Sequence, residues 1–166
     1  MLTVNKLDIL TTGGTIDKIY YDDKSDYQIG QPEIGRILQA MNVAFEWDLR
    51  ALMRKDSLHV NEEDRSLIRQ AILTSQHRHF LITHGTDTMV DTAAALGDLG
   101  DRVVVLTGAL NPARFIDSDA VFNIGCAVAA VQCLPSGIWI AMNGRIWDPK
   151  RVRKNRAENR FEAIDS

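Results

Sequence analysis

Short, mainly apolar runs that break off at glycine-threonine turns constrain this chain more than any other feature. Leu7-Asp8-Ile9-Leu10 leads into Thr11-Thr12-Gly13-Gly14-Thr15-Ile16. Phe80-Leu81-Ile82-Thr83 leads into His84-Gly85-Thr86-Asp87-Thr88, and Val103-Val104-Val105-Leu106 into Thr107-Gly108-Ala109. Runs of this length and apolarity read as buried strands. Helical patterns lie between them. Asn61 followed by Asp64 reads as an N-cap with acidic residues in the first turn, and Leu67, Ile68, Ala71 and Ile72 then form one apolar stripe. A second helix is expected from Thr88 to about Leu99, with Met89, Val90, Ala93 and Ala94 inward. A third is expected from Ser118-Asp119 to about Leu134, apolar nearly all round and so buried in the core or in a subunit interface. Strand and helix alternate, which predicts an α/β domain: a mostly parallel sheet with helices on both faces. A length of 166 residues fits one such domain.

The other segments are less regular. Pro32-Glu33 is expected to open a helix to about Met41. Val43 to Leu49 alternates as a strand would, and Arg50 to Val60 reads as a polar loop carrying Lys55-Asp56-Ser57. Ile138 to Met142 reads as a strand, with Asn143-Gly144 a hairpin signal before Arg145-Ile146-Trp147. Asp17 to Gly30 is acidic and tyrosine-bearing, with neither helical nor strand periodicity, and is expected to be a functional lid or a disordered loop. Lys150 to Arg160 holds six basic residues and one glutamate, and reads as a solvated surface.

Composition excludes several function classes. With 19 basic and 22 acidic residues the net charge is −3, which gives no global attraction to nucleic acid. No apolar run approaches the roughly 20 residues that span a bilayer, so no membrane association is expected. Met1 to Lys6 carries no apolar stretch, and a cytoplasmic location without a secretory leader is expected. Cys126 and Cys133 stand seven positions apart in one helical segment, about 10 Å and beyond disulfide reach. Both are expected to be buried free thiols in a reducing compartment. His59, His77 and His79 lack metal-ligand spacing, so no metal or cofactor is expected. His84 is expected to fill structure.

The chemistry concentrates at two matching strand ends, Thr12-Gly13-Gly14-Thr15 and His84-Gly85-Thr86-Asp87. Successive backbone N–H groups in such turns can converge on one spot and stabilise negative charge. Together the two turns supply hydroxyls, a carboxylate and backbone donors, the equipment for covalent acyl transfer. Either turn alone is also an ordinary strand-to-loop connection. A phosphate cradle at Gly13-Gly14 is disfavoured, because the longer glycine spacing and the lysine of such motifs are missing.

These pieces resemble the bacterial-type L-asparaginases. The resemblance rests on Thr12-Gly13-Gly14-Thr15-Ile16, Lys55-Asp56-Ser57, His84-Gly85-Thr86-Asp87-Thr88-Met89, Thr107-Gly108-Ala109 and Ser118-Asp119-Ala120-Val121-Phe122-Asn123. It implies a flavodoxin-like fold and hydrolysis of L-asparagine to aspartate and ammonia without a cofactor. Thr15 matches the nucleophilic threonine, and Tyr27 the loop tyrosine that hydrogen-bonds it, with Tyr20 or Tyr21 as alternatives. Thr86 matches the threonine that positions water or polarises the amide. Asp87 matches the carboxylate that holds the α-ammonium, Ser57 a hydroxyl that holds the α-carboxylate, and Asp56 borders that pocket. Counting back from Thr107-Gly108-Ala109, the family's catalytic lysine falls on Arg102. A guanidinium keeps an ion pair to Asp87 but cannot act as a base, which leaves open a catalytically weak asparagine- or aspartate-binding regulator. The resemblance covers only the family's N-terminal domain, so a short single-domain member is expected over residues 1–166. It also implies a homo-oligomer, at least a dimer, in agreement with the apolar helix from Ser118.

Overall fold

The structure, a computed structural model, describes residues 6–21 and 26–164. The expectations for the chain start up to Asn5, and for Asp22 to Ser25 in the acidic segment, lie outside the described residues. In chain order the elements are β1 (Lys6–Gly13), β2 (Lys18–Tyr21), β3 (Asp26–Ile29), α1 (Ile34–Ala40), β4 (Glu46–Lys55), α2 (Glu62–Leu73) and β5 (His79–Thr83). There follow α3 (Met89–Ala95), β6 (Val103–Thr107), α4 (Ala120–Cys133), β7 (Gly137–Met142), β8 (Arg145–Trp147), β9 (Val152–Asn155) and β10 (Arg160–Ala163).

The main sheet has the order β4-β1-β5-β6-β7-β8 and is parallel except for β8. Strand alternation splits the core in two. Leu7, Ile9, Leu81, Val103 and Val105 pack under α1 and α4 with Ile34, Ile37, Ile124 and Val131. Leu10, Phe80, Ile82, Val104 and Leu106 pack under α2 and α3 with Ile68, Ile72, Met89 and Leu96. The predicted α/β sheet with helices on both faces is what forms. After β1 the chain crosses to β4 on one side, then returns to β5 on the other. The carboxyl ends of β1 and β5 therefore lie side by side at the point where the strand order reverses, the place where such sheets bind ligands.

Local signals held where they were backbone-specific. Asn61 and Asp64 form a reciprocal capping box at the start of α2. Asn143 and Gly144 take φ of 54° and 72°, the left-handed pair a tight hairpin needs.

Other expectations are corrected. The acidic, tyrosine-bearing segment is not an aperiodic loop but contains a hairpin, β2 pairing antiparallel with β3. Strand β4 continues through Arg50 to Lys55, because its polar side chains have partners. Arg50 makes a 2.6 Å bond to buried Asp8, and Lys55 binds Asp64. Helix α3 stops at Ala95, and Leu67 and Ala94 are exposed. Cys133 is exposed and Cys126 half-buried, because both sit toward the outer side of α4. The basic segment near the end is not merely solvated surface but a second hairpin, β9 against β10, with Val152 and Phe161 in the core. Among the described residues no helix is long and apolar enough to cross a membrane.

Candidate active site

Glycine backbone brings the strand ends together. Gly13 and Gly14 take φ of 103° and 87°, conformations that side chains resist, and the Gly14 N–H donates to the Lys55 carbonyl at 2.9 Å. A Cβ on Gly14 would stand 2.5 Å from the Gly85 backbone, and one on Gly85 would stand 2.5 Å from Ser57 Cβ. The loops after β1, β5 and β4 are thus stacked with no room for a methyl group between them. Thr15 opens a 3-10 turn and is half-buried, Thr86 and Ser57 are buried, and Asp87 is half-buried. Asp56 accepts the Leu58 N–H at 3.0 Å and pairs with Lys18 at 3.3 Å, on the rim of this stack.

Lys154 on β9 reaches into the same place. Its Nζ donates to Thr86 Oγ1 and to Asp87 Oδ1, both at 2.7 Å, and its side chain is only 12% exposed. The sequence reading missed this residue, which stands inside the basic run. The signal was alternation: Lys154 lies two residues from buried Val152, on the same face of a strand.

Arg102, placed at the site by counting, is not there. It immediately precedes β6, whereas Thr107 ends that strand, about 17 Å further along at some 3.3 Å per residue. Its guanidinium donates to the carbonyls of Leu99, Leu73 and Ser75, tying together loops at the amino-terminal edge. The partners of Asp87 are Lys154 and Arg156 instead. A cavity of about 590 Å³ at that edge is lined by Arg102, Leu99 and Trp139, and by none of Thr15, Thr86, Asp87 or Lys154.

The tyrosine-bearing hairpin follows the Thr15–Asp17 turn directly in the chain. Tyr20 and Tyr27 are direct cross-strand partners with ring centroids 5.3 Å apart, and Phe115 lies 6.2 Å from Tyr27. The base of the hairpin hangs on Asp17. Its carbonyl accepts the Gly30 N–H at 2.7 Å, and its carboxyl accepts the Glu33 N–H at 2.9 Å. Burial pushes the Asp17 carboxyl up to about 7, against the pull of that hydrogen bond. Burial also acts to raise Glu33, but hydrogen bonds from Arg36 and Arg114 outweigh it and hold that carboxyl below its usual range.

His84 does structural work. Its Nδ1 lies 2.7 Å from the Gly85 carbonyl, and its Nε2 lies 2.9 Å from Thr92 Oγ1. A carbonyl only accepts, so Nδ1 carries the proton and Nε2 accepts from Thr92, whose oxygen in turn receives Arg65 Nε. Burial pushes the imidazole down to about 4, so it stays neutral near pH 7 and pins the Gly85 carbonyl.

The arrangement offers a hydroxyl on a tight turn and an ammonium shared between a second hydroxyl and a carboxylate. Comparison with known proteins points to one family. The family model "Asparaginase, N-terminal" matches residues 6–166. The chain is 30% identical over 170 residues to L-asparaginase 2 of Escherichia coli (strain K12), covering 92% of this chain and 47% of that protein. It superposes on the thermostable L-asparaginase from Thermococcus kodakarensis with a TM-score of 0.85 at 28% identity, covering 97% of this chain and 52% of that one. A 70-residue stretch is 43% identical to a component of the glutamyl-tRNA(Gln) amidotransferase of Methanococcus vannielii, covering 41% of this chain and 16% of that protein. The chain spans about half the length of the asparaginases it matches. With the family's motifs at the sheet's switch point and its model matched from β1 onward, the chain belongs to the asparaginase family, in the part that forms the N-terminal domain.

Proposed function

We propose that the site at the carboxyl ends of β1 and β5 hydrolyses the side-chain amide of L-asparagine to aspartate and ammonia. The observation that carries this reading is Lys154 Nζ, 2.7 Å from both Thr86 and Asp87, in a loop stack that also holds Thr15. Thr15 Oγ attacks the amide carbon and forms an acyl-enzyme. Its proton leaves toward the amide nitrogen, which departs as ammonia. Thr86, in contact with Lys154, then directs the water that splits the ester, freeing aspartate and restoring the Thr15 hydroxyl. A lysine ammonium can be tuned to give and take protons where a guanidinium cannot. The regulator reading rests on Arg102 in place of that lysine, and Lys154 in contact with Thr86 and Asp87 supports hydrolysis instead. Likeness to an amidotransferase component as well as to asparaginases supports amide chemistry in general, and the Asp87 and Ser57 pair supports a free amino acid as substrate.

Association through the outer face of α4 is part of the same proposal, since Val121 and Phe122 are exposed there. A cytoplasmic location is proposed on the free thiols of Cys126 and Cys133.

The test is ammonia release from L-asparagine by the purified protein and its Thr15→Ala variant. The variant is expected to lose at least about 10³-fold in kcat. Unchanged turnover in Thr15→Ala would discard the nucleophile, and tight binding of asparagine without ammonia would restore the regulator.

A further inference from the structure

Asp87 faces two cations of different character. Lys154 Nζ lies 2.7 Å from its Oδ1, and Arg156 Nε lies 3.7 Å from the same oxygen. Lys154 also donates to Thr86 and is part of the site's interior. Arg156 is 66% exposed and pairs with no other acid among the described residues. Its position is nevertheless set by a built turn. Asn155 Oδ1 accepts the N–H groups of Ala157 and Glu158, while Asn155 Nδ2 and Arg153 both hold Glu162. The turn between β9 and β10 is braced from within, and it presents Arg156 beside Asp87.

One carboxylate against two cations leaves an excess of positive charge beside Thr86. Asp87 is the group assigned to the α-ammonium of asparagine, and this inference rests on that assignment. Both cations face Asp87 Oδ1, so a bound ammonium is left to Oδ2 and still sits near two like charges, which disfavours it. An amide with no positive charge at that position avoids the repulsion, and its carboxylate gains a nearby guanidinium. We infer that Arg156 tunes substrate class at this site: free asparagine remains a substrate, and ω-amides of carboxylic acids that lack an α-ammonium are favoured relative to it. Succinamate, asparagine without its amino group, is the simplest such substrate.

The experiment measures kcat and KM for L-asparagine and for succinamate with the wild-type protein, Arg156→Ala and Arg156→Lys. Binding of the two products, aspartate and succinate, is measured by calorimetry on the same proteins. Arg156→Ala is expected to lower KM for asparagine and raise it for succinamate, each about three- to fivefold, the scale of an exposed charge pair. Arg156→Lys keeps the wild-type order. A turn that merely supports the fold moves both substrates in the same direction, so parallel shifts, or none, overturn the inference. Release of ammonia from neither amide by the wild-type protein overturns the hydrolase reading instead. In that case the products still decide: opposed shifts for aspartate and succinate support the role of Arg156, and parallel or absent shifts end it.

Discussion

Asp17 and His84 are buried titratable groups that load stability with opposite signs. The Asp17 carboxyl is raised from 3.8 to about 7, so the folded chain holds a proton that the unfolded chain releases. Its contribution is full below pH 3.8 and fades as pH rises through 7. The His84 imidazole is lowered from 6.5 to about 4, so its contribution is full above pH 6.5 and fades as pH falls through 4. The shifts correspond to about 4 kcal/mol for Asp17 and about 3 kcal/mol for His84, and between pH 4 and 7 the two slopes nearly cancel. Asp17→Asn keeps an acceptor for the Glu33 N–H but removes the titration. Denaturant unfolding across pH 4.5 to 7 is expected to show that variant losing stability toward acid, relative to wild type. His84→Gln is expected to gain stability in the same comparison. Parallel profiles for both variants would refute the assignment. The same scale shows what was legible. The place of Thr15, Thr86 and Asp87 at strand ends was readable because Gly14 and Gly85 stand just before them, after an apolar run. Lys154 was not, because its partners Thr86 and Asp87 are almost 70 positions away, and no local pattern records that contact.

Elements were legible in proportion to their burial. Strands β1, β5 and β6 announce themselves by apolar residues, since both faces of the central sheet are covered. The second half of β4 and both small hairpins are polar, and their ladders form because charged partners satisfy the side chains, as Asp8 does for Arg50. What joins the elements at the site is glycine, and that makes a prediction. A Cβ on Gly85 would lie 2.5 Å from Ser57 Cβ and 3.0 Å from the Ser57 backbone nitrogen, with Gly14 against the other side. The loops cannot part without losing the Gly14 bond to Lys55. Gly85→Ala is expected to cost about 1–3 kcal/mol as overpacking and to lower ammonia release. Adding Ser57→Gly removes the opposing Cβ, so the double variant is expected to recover part of that stability in denaturant unfolding, although Ser57→Gly alone destabilises. Additive losses would show that the contact is not what excludes the side chain.

For the molecule as a whole, the outstanding surface is α4. Its 14 residues, Ala120–Cys133, include no charged side chain, in a chain that is 25% charged. One side is spent on the core through Ala120, Ile124, Ala127 and Val131. The other leaves Phe122, Gly125, Ala129 and Cys133 exposed at helical spacing, with Phe122 61% exposed beside the Asn143-Gly144 turn. The sequence showed that this helix is apolar all round, but only the fold shows which half the sheet leaves uncovered. An apolar stripe without charged residues to keep copies apart marks an association surface. A second copy is its proposed occupant, because small residues at Gly125 and Ala129 would let two such helices approach closely, and an aromatic anchor at Phe122 would supply the buried area that dominates interface energetics. Light scattering at micromolar concentration is expected to give at least a dimer, and Phe122→Glu a monomer with unchanged circular dichroism. A charge there must either be desolvated in the interface or hold the copies apart, whereas in the monomer it stays in water at no cost to the fold. A wild-type monomer at that concentration would leave the stripe without a partner of its own kind.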